Sequence, residues 1–533
     1  MPNTACVLRT AFLLMLCCLP ATVAAQLSTR LERGNGPEPS TLDAHRCQEV
    51  ACGNVLRDLY EGLVTEDARG RLVPGIAERW SVSADGRRWT FVLRDGLRWS
   101  NGEPLDAAQV VASFRRAFSP TTAAPFGELF DALHNARKVQ AGELPSAALG
   151  VTANDARTLE FALDRSAPLP ALLTLPIAFP VYLPAVARHG AEHTRPGNLV
   201  SNGAYRLTSW TPQANLVVER NPRFHGATGV AIERVRFHVT EDAAAELQRF
   251  AAGDLHLTEV VPPQPLASLR ARFGDQLRIS PYIGAFWLGM NLTREPLEGQ
   301  PGLREALSLA VDRDILTRHV TGLGETPAFG IVPPGIAGYT PAMTIWSTST
   351  QAQREARARA LYRAAGYSVD KPLVIELRYN TSTPHRRLAL AVAAMWRKVL
   401  GVQVRLRNEE WKVFVGNRKQ RVITQVFRGG WIADLPDARN FLAAFGSDGP
   451  LNWTGFDDAG FRERLAKADA AASEAARNAW LHAAEVRLLQ ANAVVPLYFY
   501  SSKHLVSPRV RGFEANALDR HASRWLRLQD APR

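Results

Sequence analysis

The stretch LVIELRYNTSTPHRRLALAVAAMWRKVLGVQVRL (residues 373–406) contains a strand, a helix and a second strand in succession. Short β-prone apolar runs predict the strands Leu373–Tyr379 and Val402–Leu406. Between them, apolar residues at helical spacing predict an amphipathic helix over His385–Leu400, which Gly401 follows. Helices that alternate with strands in this way indicate an α/β fold.

The same alternation continues on both sides of this stretch. It predicts helices over Leu303–Val320, Gln353–Ala365 and Glu474–Ala491, the last with Ser473 as its N-cap, and a strand over Val494–Tyr500. At 533 residues and 46% hydrophobic composition, the chain can form two or more packed domains. Because it contains no internal repeat and no low-complexity linker, we expect interleaved domains rather than domains in series.

Turn dipeptides dominate the sequence between residues 73 and 104. Short β-prone runs there are separated by Asp85-Gly86, Asp95-Gly96 and Asn101-Gly102. This pattern predicts a small antiparallel meander. Asp106 is then expected to cap a helix over Ala107–Phe118, whose apolar residues share one face.

The segment RGGWIADLPDARNFL (428–442) combines opposite charges with bare backbone, just after an alternation that predicts a strand. Arg428 and Asp434 offer both signs of charge to a ligand. The two glycines between them leave the main chain uncovered, so another extended chain can approach closely. These features predict a site for a zwitterionic, strand-like ligand, and a peptide is the obvious candidate.

The N-terminus has the pattern of a secretory signal peptide. Arg9 precedes the apolar run Ala11–Leu19, and small residues occupy Ala21–Ala25. The apolar run is too short to span a bilayer comfortably. We therefore expect residues 1–25 to be removed, leaving a soluble, exported protein.

Two cysteines, Cys47 and Cys52, remain in the mature chain. In an oxidising compartment we expect them to form one disulfide bond that closes a very small loop. Two free thiols or metal ligands are the alternative. One small bridge cannot hold a chain of this length together, so the core must do so.

The sequence supports neither nucleic-acid binding nor catalysis. The net charge is +12, but the basic residues are scattered among acids without a run of five or more, which indicates a solvated surface. The chain has no Gly-x-Ser-x-Gly elbow, no P-loop, no His-Glu-x-x-His motif and no dinucleotide fingerprint after a strand. We expect no nucleic-acid partner and no enzymatic activity.

Seven short pieces, in order along the chain, resemble the family 5 extracellular solute-binding proteins. This family includes the periplasmic oligopeptide-binding proteins of ABC importers and their dipeptide-, murein-peptide- and nickel-binding relatives. The pieces are PGIAERW (74–80), WTFVLR (89–94), WSNGEP (99–104), SNGAY (201–205), YNTS (379–382), EWKVF (410–414) and RGGWIAD (428–434). Each piece alone is weak, but seven in order are a specific pattern that covers nearly all of the mature chain.

The resemblance implies an α/β, two-lobed periplasmic-binding-protein fold with hinge closure and an additional inserted domain. By position, lobe I comprises 26–60, 185–283 and 502–533, the inserted domain 61–184, and lobe II 284–501. It further implies a monomer in the periplasm that captures a peptide ligand and delivers it to an inner-membrane ABC permease. No cofactor and no metal are implied.

The resemblance also assigns ionic contacts to the two ends of a bound peptide. Asp434 matches the aspartate that holds the α-amino group, and Arg428 matches an arginine on the carboxylate side. Arg418 and His385 match positions that reach the C-terminus of ligands of different lengths. Thr321 stands where longer-peptide binders have a lysine, so the preferred ligand length stays open.

Other positions match the family through their main chain or their aromatic rings. The main chains of Val50, Gly430 and Ile432 match segments that pair with the peptide backbone like neighbouring strands. Trp411 and Trp431 match aromatic residues that line side-chain pockets.

Structural roles remain open for the same residues. Asp434 is placed to be a helix N-cap, since Pro436 follows it and Arg439–Phe445 is helix-like. Arg428 can instead pair with Asp434, His385 can be a structural helix residue, and the two tryptophans can belong to a core.

Three rival functions also remain. The first is a murein-peptide or dipeptide binder of the same family, which Thr321 keeps open. The second is a secreted peptidase or glycan-processing enzyme that uses Asp434 as an acid or base. The third is a chaperone-like protein that uses the same cleft on unfolded chains.

Overall fold

The computed structural model describes residues 29–262, 264–446, 452–471 and 473–529. The predicted signal peptide over 1–25 lies outside the described residues. Within those ranges, every helix is too short or too polar to cross a membrane.

Helices and strands alternate along most of the chain. Up to the first long connecting strand, the elements are β1 Arg30–Gly34, α1 Val50–Leu59, β2 Val64–Glu66, β3 Leu72–Pro74, β4 Ala77–Val82, β5 Arg88–Leu93, α2 Ala107–Ala117, α3 Ala136–Gln140, β6 Val151–Ala153, β7 Thr158–Ala162, α4 Leu169–Leu172, α5 Leu183–His189, β8 Tyr205–Thr211, β9 Asn215–Arg220, β10 Arg234–His238, α6 Ala243–Ala252, α7 Leu266–Phe273 and β11 Leu277–Met290. The remaining elements are α8 Pro301–Leu309, α9 Arg313–Ile315, β12 Thr326–Pro327, α10 Gln351–Ala364, β13 Val374–Asn380, α11 Thr383–Leu400, β14 Gln403–Glu409, α12 Trp411–Gln420, β15 Val426–Ile432, α13 Ala438–Leu442, α14 Ala459–Asp469, α15 Glu474–Gln490, β16 Val494–Leu505, β17 Val510–Arg511 and β18 Arg527–Leu528.

The first core is built from three separate parts of the chain. The sheet β1-β10-β9-β8 packs with α1 around residues such as Leu56, Val218 and Phe237. Val506 and Leu526, from the C-terminal end, complete the same core. We propose that this core, built from separate parts of the chain, is lobe I.

A second core is built mainly from residues between Leu63 and Ala185, and Leu435, from the segment after β15, joins it. Its sheet has the order β4-β5-β7-β6, and α2 packs on it with Val110, Phe114 and Phe118. Asp106 caps α2 with a capping box, as predicted. The predicted meander is only partly correct, because the second neighbour of β5 is β7 rather than a strand just after Asp95-Gly96.

The third sheet has six strands in the order β12-β16-β11-β15-β13-β14, with a core on each face. The opening strand–helix–strand prediction is confirmed, because β13 and β14 pair in parallel and α11 connects them. The predicted helix Leu303–Val320 is wrong as one element. It consists of α8, α9 and a π-helical turn over Leu316–Thr321.

Two long antiparallel strands connect the first and third cores. β11 and β16 pair from Leu277↔Leu505 to Gly289↔Val494, with an irregularity between Pro281 and Ala285. The irregularity lies at the boundaries expected at 283–284 and 501–502. We propose that it separates lobe I from lobe II, with 61–184 as the inserted domain.

Cys47 and Cys52 form a disulfide bond, as predicted, and both are buried beside the first turn of α1. The bridge therefore fixes the chain just before α1. The metal-ligand alternative for these two cysteines is wrong.

Candidate functional site

β15 lies inside the six-stranded sheet, yet its C-terminal half has an open edge. β11 pairs with all of β15, up to Gly284↔Ile432. β13, on the other side, pairs with it only at Leu377↔Val426 and Arg378↔Phe427. Among the described strands, none covers this side from Arg428 to Ile432, a length of about 13 Å.

The main chains of Gly430 and Ile432 point to this open edge. The Ala433 N–H donates to the Ile283 carbonyl at 2.9 Å, so these two residues form a hydrogen-bonded pair. Such pairs alternate along an antiparallel ladder, so the Trp431 main chain also faces β11 while Gly430 and Ile432 face away. These two residues therefore present unused donors and acceptors, as strand-like pairing with a ligand requires.

Arg428 lies at one end of the open edge and makes no ion pair with any described residue. Its Nε donates to Asn380 Oδ1 at 2.7 Å, and its guanidinium lies 5.1 Å from the ring centre of Trp411. Burial lowers the pKa of Arg428. The alternative ion pair with Asp434 is wrong, because the two side chains stand at opposite ends of the edge.

Arg418 and His385 lie beside Arg428. Arg418 is only 4% exposed, between the rings of Phe414 at 4.9 Å and Trp453 at 3.2 Å. Burial, followed by the charge of Arg428, lowers the pKa of Arg418 to about 9 and that of His385 to about 4. The site therefore holds two arginines without a carboxylate partner in the described chain, next to a neutral imidazole.

Asp434 lies half-buried beyond the other end of the edge. Its main-chain carbonyl accepts a hydrogen bond from Arg520 Nη2 at 2.8 Å, but its carboxylate forms no ion pair with any described residue. Burial raises the pKa of Asp434, and Arg520 only partly offsets that effect. The N-cap alternative is wrong, because Asp437 caps α13 by accepting from the Arg439 N–H at 2.7 Å.

The two tryptophans lie in different surroundings. Trp411, at the start of α12, is 49% exposed and faces Arg428, so it is not a core residue. Trp431 points to the opposite face of the sheet, where its Nε1 donates to Asn440 Oδ1 at 2.7 Å and its ring packs on a lobe core. Of the two tryptophans predicted to line pockets, Trp411 adjoins the cationic end of the site and Trp431 does not.

Val50 differs from the expectation of a strand-like segment. It is the first residue of α1, so its backbone is helical, and its side chain is 58% exposed. A helical residue cannot extend a β-ladder. The first N–H groups of a helix nevertheless lack intrahelical acceptors, so Val50 can offer one donor to a ligand.

Thr321 ends the π-helical turn and lines an open pocket. Its Oγ1 lies 3.4 and 3.3 Å from two carbonyl oxygens of its own helix, to which it donates. The pocket, of about 530 Å³, is also lined by Arg318, Glu325 and Arg387. A lysine at this position would extend into space that the threonine leaves empty.

Sequence reasoning missed three residues of the site. Asn380 holds Arg428 in place, and its position within YNTS (379–382) was a usable signal. Tyr500 lies under the open edge, because a Cβ on Gly430 would stand 3.0 Å from its hydroxyl. Arg520 holds Asp434 from the C-terminal segment, for which the sequence carries no local signal.

Residues 71–453 match the family model described as bacterial extracellular solute-binding proteins, family 5 Middle. The chain belongs to this family. It is 35% identical over 499 residues to the periplasmic oligopeptide-binding protein OppA of Salmonella typhimurium, a match that covers 93% of this chain and 91% of OppA. The two-lobed α/β fold follows from this membership.

Two solved structures of murein tripeptide binding proteins are similar to this chain over nearly its whole described length. The unliganded open form of MppA, a periplasmic murein tripeptide binding protein, matches with a TM-score of 0.87 at 34% identity, covering 94% of this chain and 98% of MppA. Another structure of the Escherichia coli protein matches with a TM-score of 0.75 at 35% identity and the same coverage. At nearly the same identity and coverage, the present structure is therefore more similar to the unliganded open form than to this second structure.

Proposed function

We propose that this protein captures peptides in the periplasm and passes them to an inner-membrane ABC permease. The observation that carries the proposal is the open edge of β15 together with the charges at its two ends. The Asp434 carboxylate at one end, and the Arg428 and Arg418 guanidinium groups at the other, form no ion pair with any described residue. An extended peptide matches all three features. It would run antiparallel to β15, with its amino end at Asp434.

The charges at the two ends select for free peptide termini. Leaving a desolvated charge without a partner costs about 3–5 kcal/mol, so Asp434 favours an ammonium and the arginines favour a carboxylate. The open edge spans about four extended residues, which suits short peptides. The pocket beside Thr321 leaves room for a longer ligand past the arginine end.

Recognition through the main chain makes the site tolerant of peptide sequence. Every peptide presents the same pattern of N–H and C=O groups to Gly430 and Ile432. Trp411 and Tyr500 supply apolar surface next to that edge. Hydrated space around the peptide side chains then accommodates different residues.

Closure of the two lobes completes the proposal. It would exclude water from the ionic contacts and so strengthen them, and it would create the surface that the permease recognises. Export requires the signal peptide predicted at residues 1–25. The protein acts as a monomer and without catalysis, so peptide recovered from it is expected to be chemically intact by mass spectrometry.

The decisive experiment is calorimetry of the purified mature protein with a tripeptide and a pentapeptide, each with a free or an acetylated N-terminus. Free peptides are expected to bind, and acetylation is expected to abolish binding. Asp434→Asn should weaken binding of the free peptides by at least about 100-fold, because the peptide ammonium would be left without a charged partner. The exposed Asp457→Asn serves as the control and should bind like the wild type.

Equal binding of free and acetylated peptides would contradict the role of Asp434 and favour the chaperone-like alternative. No binding of any peptide would contradict the proposed function as a whole.

A murein-peptide binder remains a second candidate, favoured by Thr321 in place of lysine. With Thr321 in place of lysine, the site has one cation fewer near the ligand carboxylate than the binders of longer peptides, which suits a ligand other than a long ordinary peptide. Competition between trialanine and a murein tripeptide distinguishes the two. At least tenfold tighter binding of the murein tripeptide would favour the second candidate.

A further inference from the structure

Two histidines and a carboxylate form a compact cluster that shares no residue with the open edge of β15. One ligand atom from each of His504, Asp519 and His521 lies within 4.8 Å of the others. His504 Nε2 is 2.8 Å from Asp519 Oδ1, and His521 Nε2 is 3.1 Å from the same oxygen. Both imidazoles therefore aim the same type of nitrogen at one shared carboxylate.

The second ring nitrogen of His504 is held in the way typical of metal ligands. Its Nδ1 lies 2.8 Å from the Thr258 carbonyl oxygen, which can only accept, so Nδ1 carries a proton. A histidine that binds metal through Nε2 usually donates its Nδ1–H to a carbonyl or a carboxylate. Without a metal, Nε2 must also carry a proton, because the Asp519 carboxylate oxygen that it contacts can only accept a hydrogen bond. Burial opposes that charge, but Asp519 raises the pKa of His504 to about 9.

The distances suit a small divalent ion. Zinc bonds of about 2.0–2.2 Å in a tetrahedral site separate neighbouring ligand atoms by about 3.3 Å, so each imidazole nitrogen needs to move away from Asp519 Oδ1 by about 0.5 Å or less. Asp519 keeps 19% of its side chain exposed, which gives a cation and a water ligand access.

The cluster lies where the two lobes are connected. His504 is on β16, paired with Arg278 of β11. Close to Asp519 in the sequence, Ala517 accepts a hydrogen bond from the Ile283 N–H, and Leu518 packs in a core of the six-stranded sheet. A metal bound here would therefore fix the C-terminal segment to a connecting strand.

We propose that His504, Asp519 and His521 bind a divalent transition-metal ion of the zinc class at the connection between the lobes. Imidazole and carboxylate ligands suit such ions, and a water molecule fills the fourth position. Binding transfers the Nε2 proton of His504 to solvent and moves the Nε2 proton of His521 to its own Nδ1, so the Nε2 lone pairs of both imidazoles coordinate the metal. The site does not depend on the proposed peptide function.

The test is zinc binding by the full mature protein, stripped with EDTA and titrated in competition with a chromophoric chelator. One equivalent is expected to bind. His521→Gln should weaken binding at least tenfold, while its amide still donates to Asp519 and preserves the fold. X-ray absorption of the zinc complex should show imidazole nitrogens and a carboxylate oxygen at about 2.0–2.2 Å.

His134 provides a matched control. It lies 2.6 Å from Asp164 in an exposed histidine–carboxylate pair, and no third ligand has been found there among the described residues. His134→Gln should leave zinc binding unchanged. Failure of the wild type to bind zinc, or equal zinc binding by His521→Gln, would overturn the proposal. A melting temperature that zinc raises in the wild type and in His134→Gln, but not in His521→Gln, would support it.

Discussion

At the scale of single residues, Arg418 and Arg428 are energetically unfavourable in the absence of ligand, because both are charged groups, buried or half-buried, without a carboxylate partner among the described residues. Arg418 is almost fully buried between aromatic rings, and burial, followed by the charge of Arg428, lowers the pKa of Arg418 to about 9. The flat guanidinium suits this place better than an ammonium, because it stacks on aromatic faces and is weakly hydrated. A ligand carboxylate would relieve the repulsion.

We predict that Arg428→Gln separates ligands by the charge of their C-terminus. A hydrogen-bonded charge is worth about 1.5–3 kcal/mol, so binding of a free tripeptide should weaken about 10- to 100-fold. The C-terminal amide of the same peptide should lose less than about threefold, since it brings no charge to pair. Calorimetry with both ligands measures the difference, and an equal loss for both would contradict the role of Arg428.

At the scale of elements, the early end of pairing between β13 and β15 creates the open edge. β13 leaves β15 after Arg378↔Phe427, while β11 continues to Ile432. A strand buried in a sheet thereby gains a free ladder over its second half. Such an edge invites aggregation unless it is protected, and here it lies between the charged ends of a cleft.

We predict that N-methylation of a peptide ligand weakens its binding at every second residue and has little effect at the residues between. Only every second peptide N–H points at Gly430 and Ile432, because main-chain groups alternate along a strand. Methylating those positions should weaken binding about tenfold, from one lost hydrogen bond. Methylating the intervening positions should have little effect, and a uniform loss at all positions would contradict strand-like pairing.

A second element-scale contact joins the first core to the inserted segment. His45 is buried beside α2, with Nε2 donating to the Phe179 carbonyl at 3.1 Å and Nδ1 accepting from Arg116 at 2.7 Å. Burial, followed by the charge of Arg116, lowers the pKa of His45 to about 4. Both ring nitrogens are suited to the neutral form.

We therefore predict that His45 makes the protein acid-sensitive. Below its unfolded pKa the unfolded chain gains a proton that the folded chain refuses, so stability falls between about pH 6.5 and pH 4, by about 3 kcal/mol. Urea unfolding across this range should show a shallower dependence for His45→Gln. The exposed His482→Gln is the control and should keep the wild-type slope.

At the scale of the whole molecule, the paired strands β11 and β16 connect the first core to the six-stranded sheet, and the C-terminal segment contacts both. The present arrangement resembles an unliganded open form, with a TM-score of 0.87. Arg520, from the C-terminal segment, links Glu66 of the proposed inserted domain to Asp434, because its Nη1 donates to Glu66 and its Nη2 donates to the Asp434 carbonyl. The Asp434 end of the site is therefore tied to the C-terminal segment in the present structure.

We predict that saturating peptide reduces the radius of gyration measured by small-angle X-ray scattering. The lobes should rotate about the irregular part of β11 and β16, because packed lobes move as rigid bodies about a few connecting residues. Asp434→Asn at the same peptide concentration should keep the open dimensions. A wild-type radius that does not change on binding would contradict hinge closure.

The sequence by itself determined the features that depend on near neighbours in the chain. Strand β13, helix α11, the cap at Asp106 and the disulfide follow from periodicity, capping and spacing, which act over a few residues. The family followed as well, because its motifs are read in order. The helix expected from Leu303 to Val320 failed, because tertiary contacts rather than local periodicity set where helices break.

Only the tertiary structure decided which charges lack partners and which strand edge is open. Asp434 and Arg428 look like a natural ion pair in the sequence, and the extended strand between them keeps them apart. Likewise, His504, Asp519 and His521 become a cluster only when the end of the chain folds back along the connecting strands. Long-range pairing of this kind depends on the packing of whole elements, which no local sequence pattern encodes.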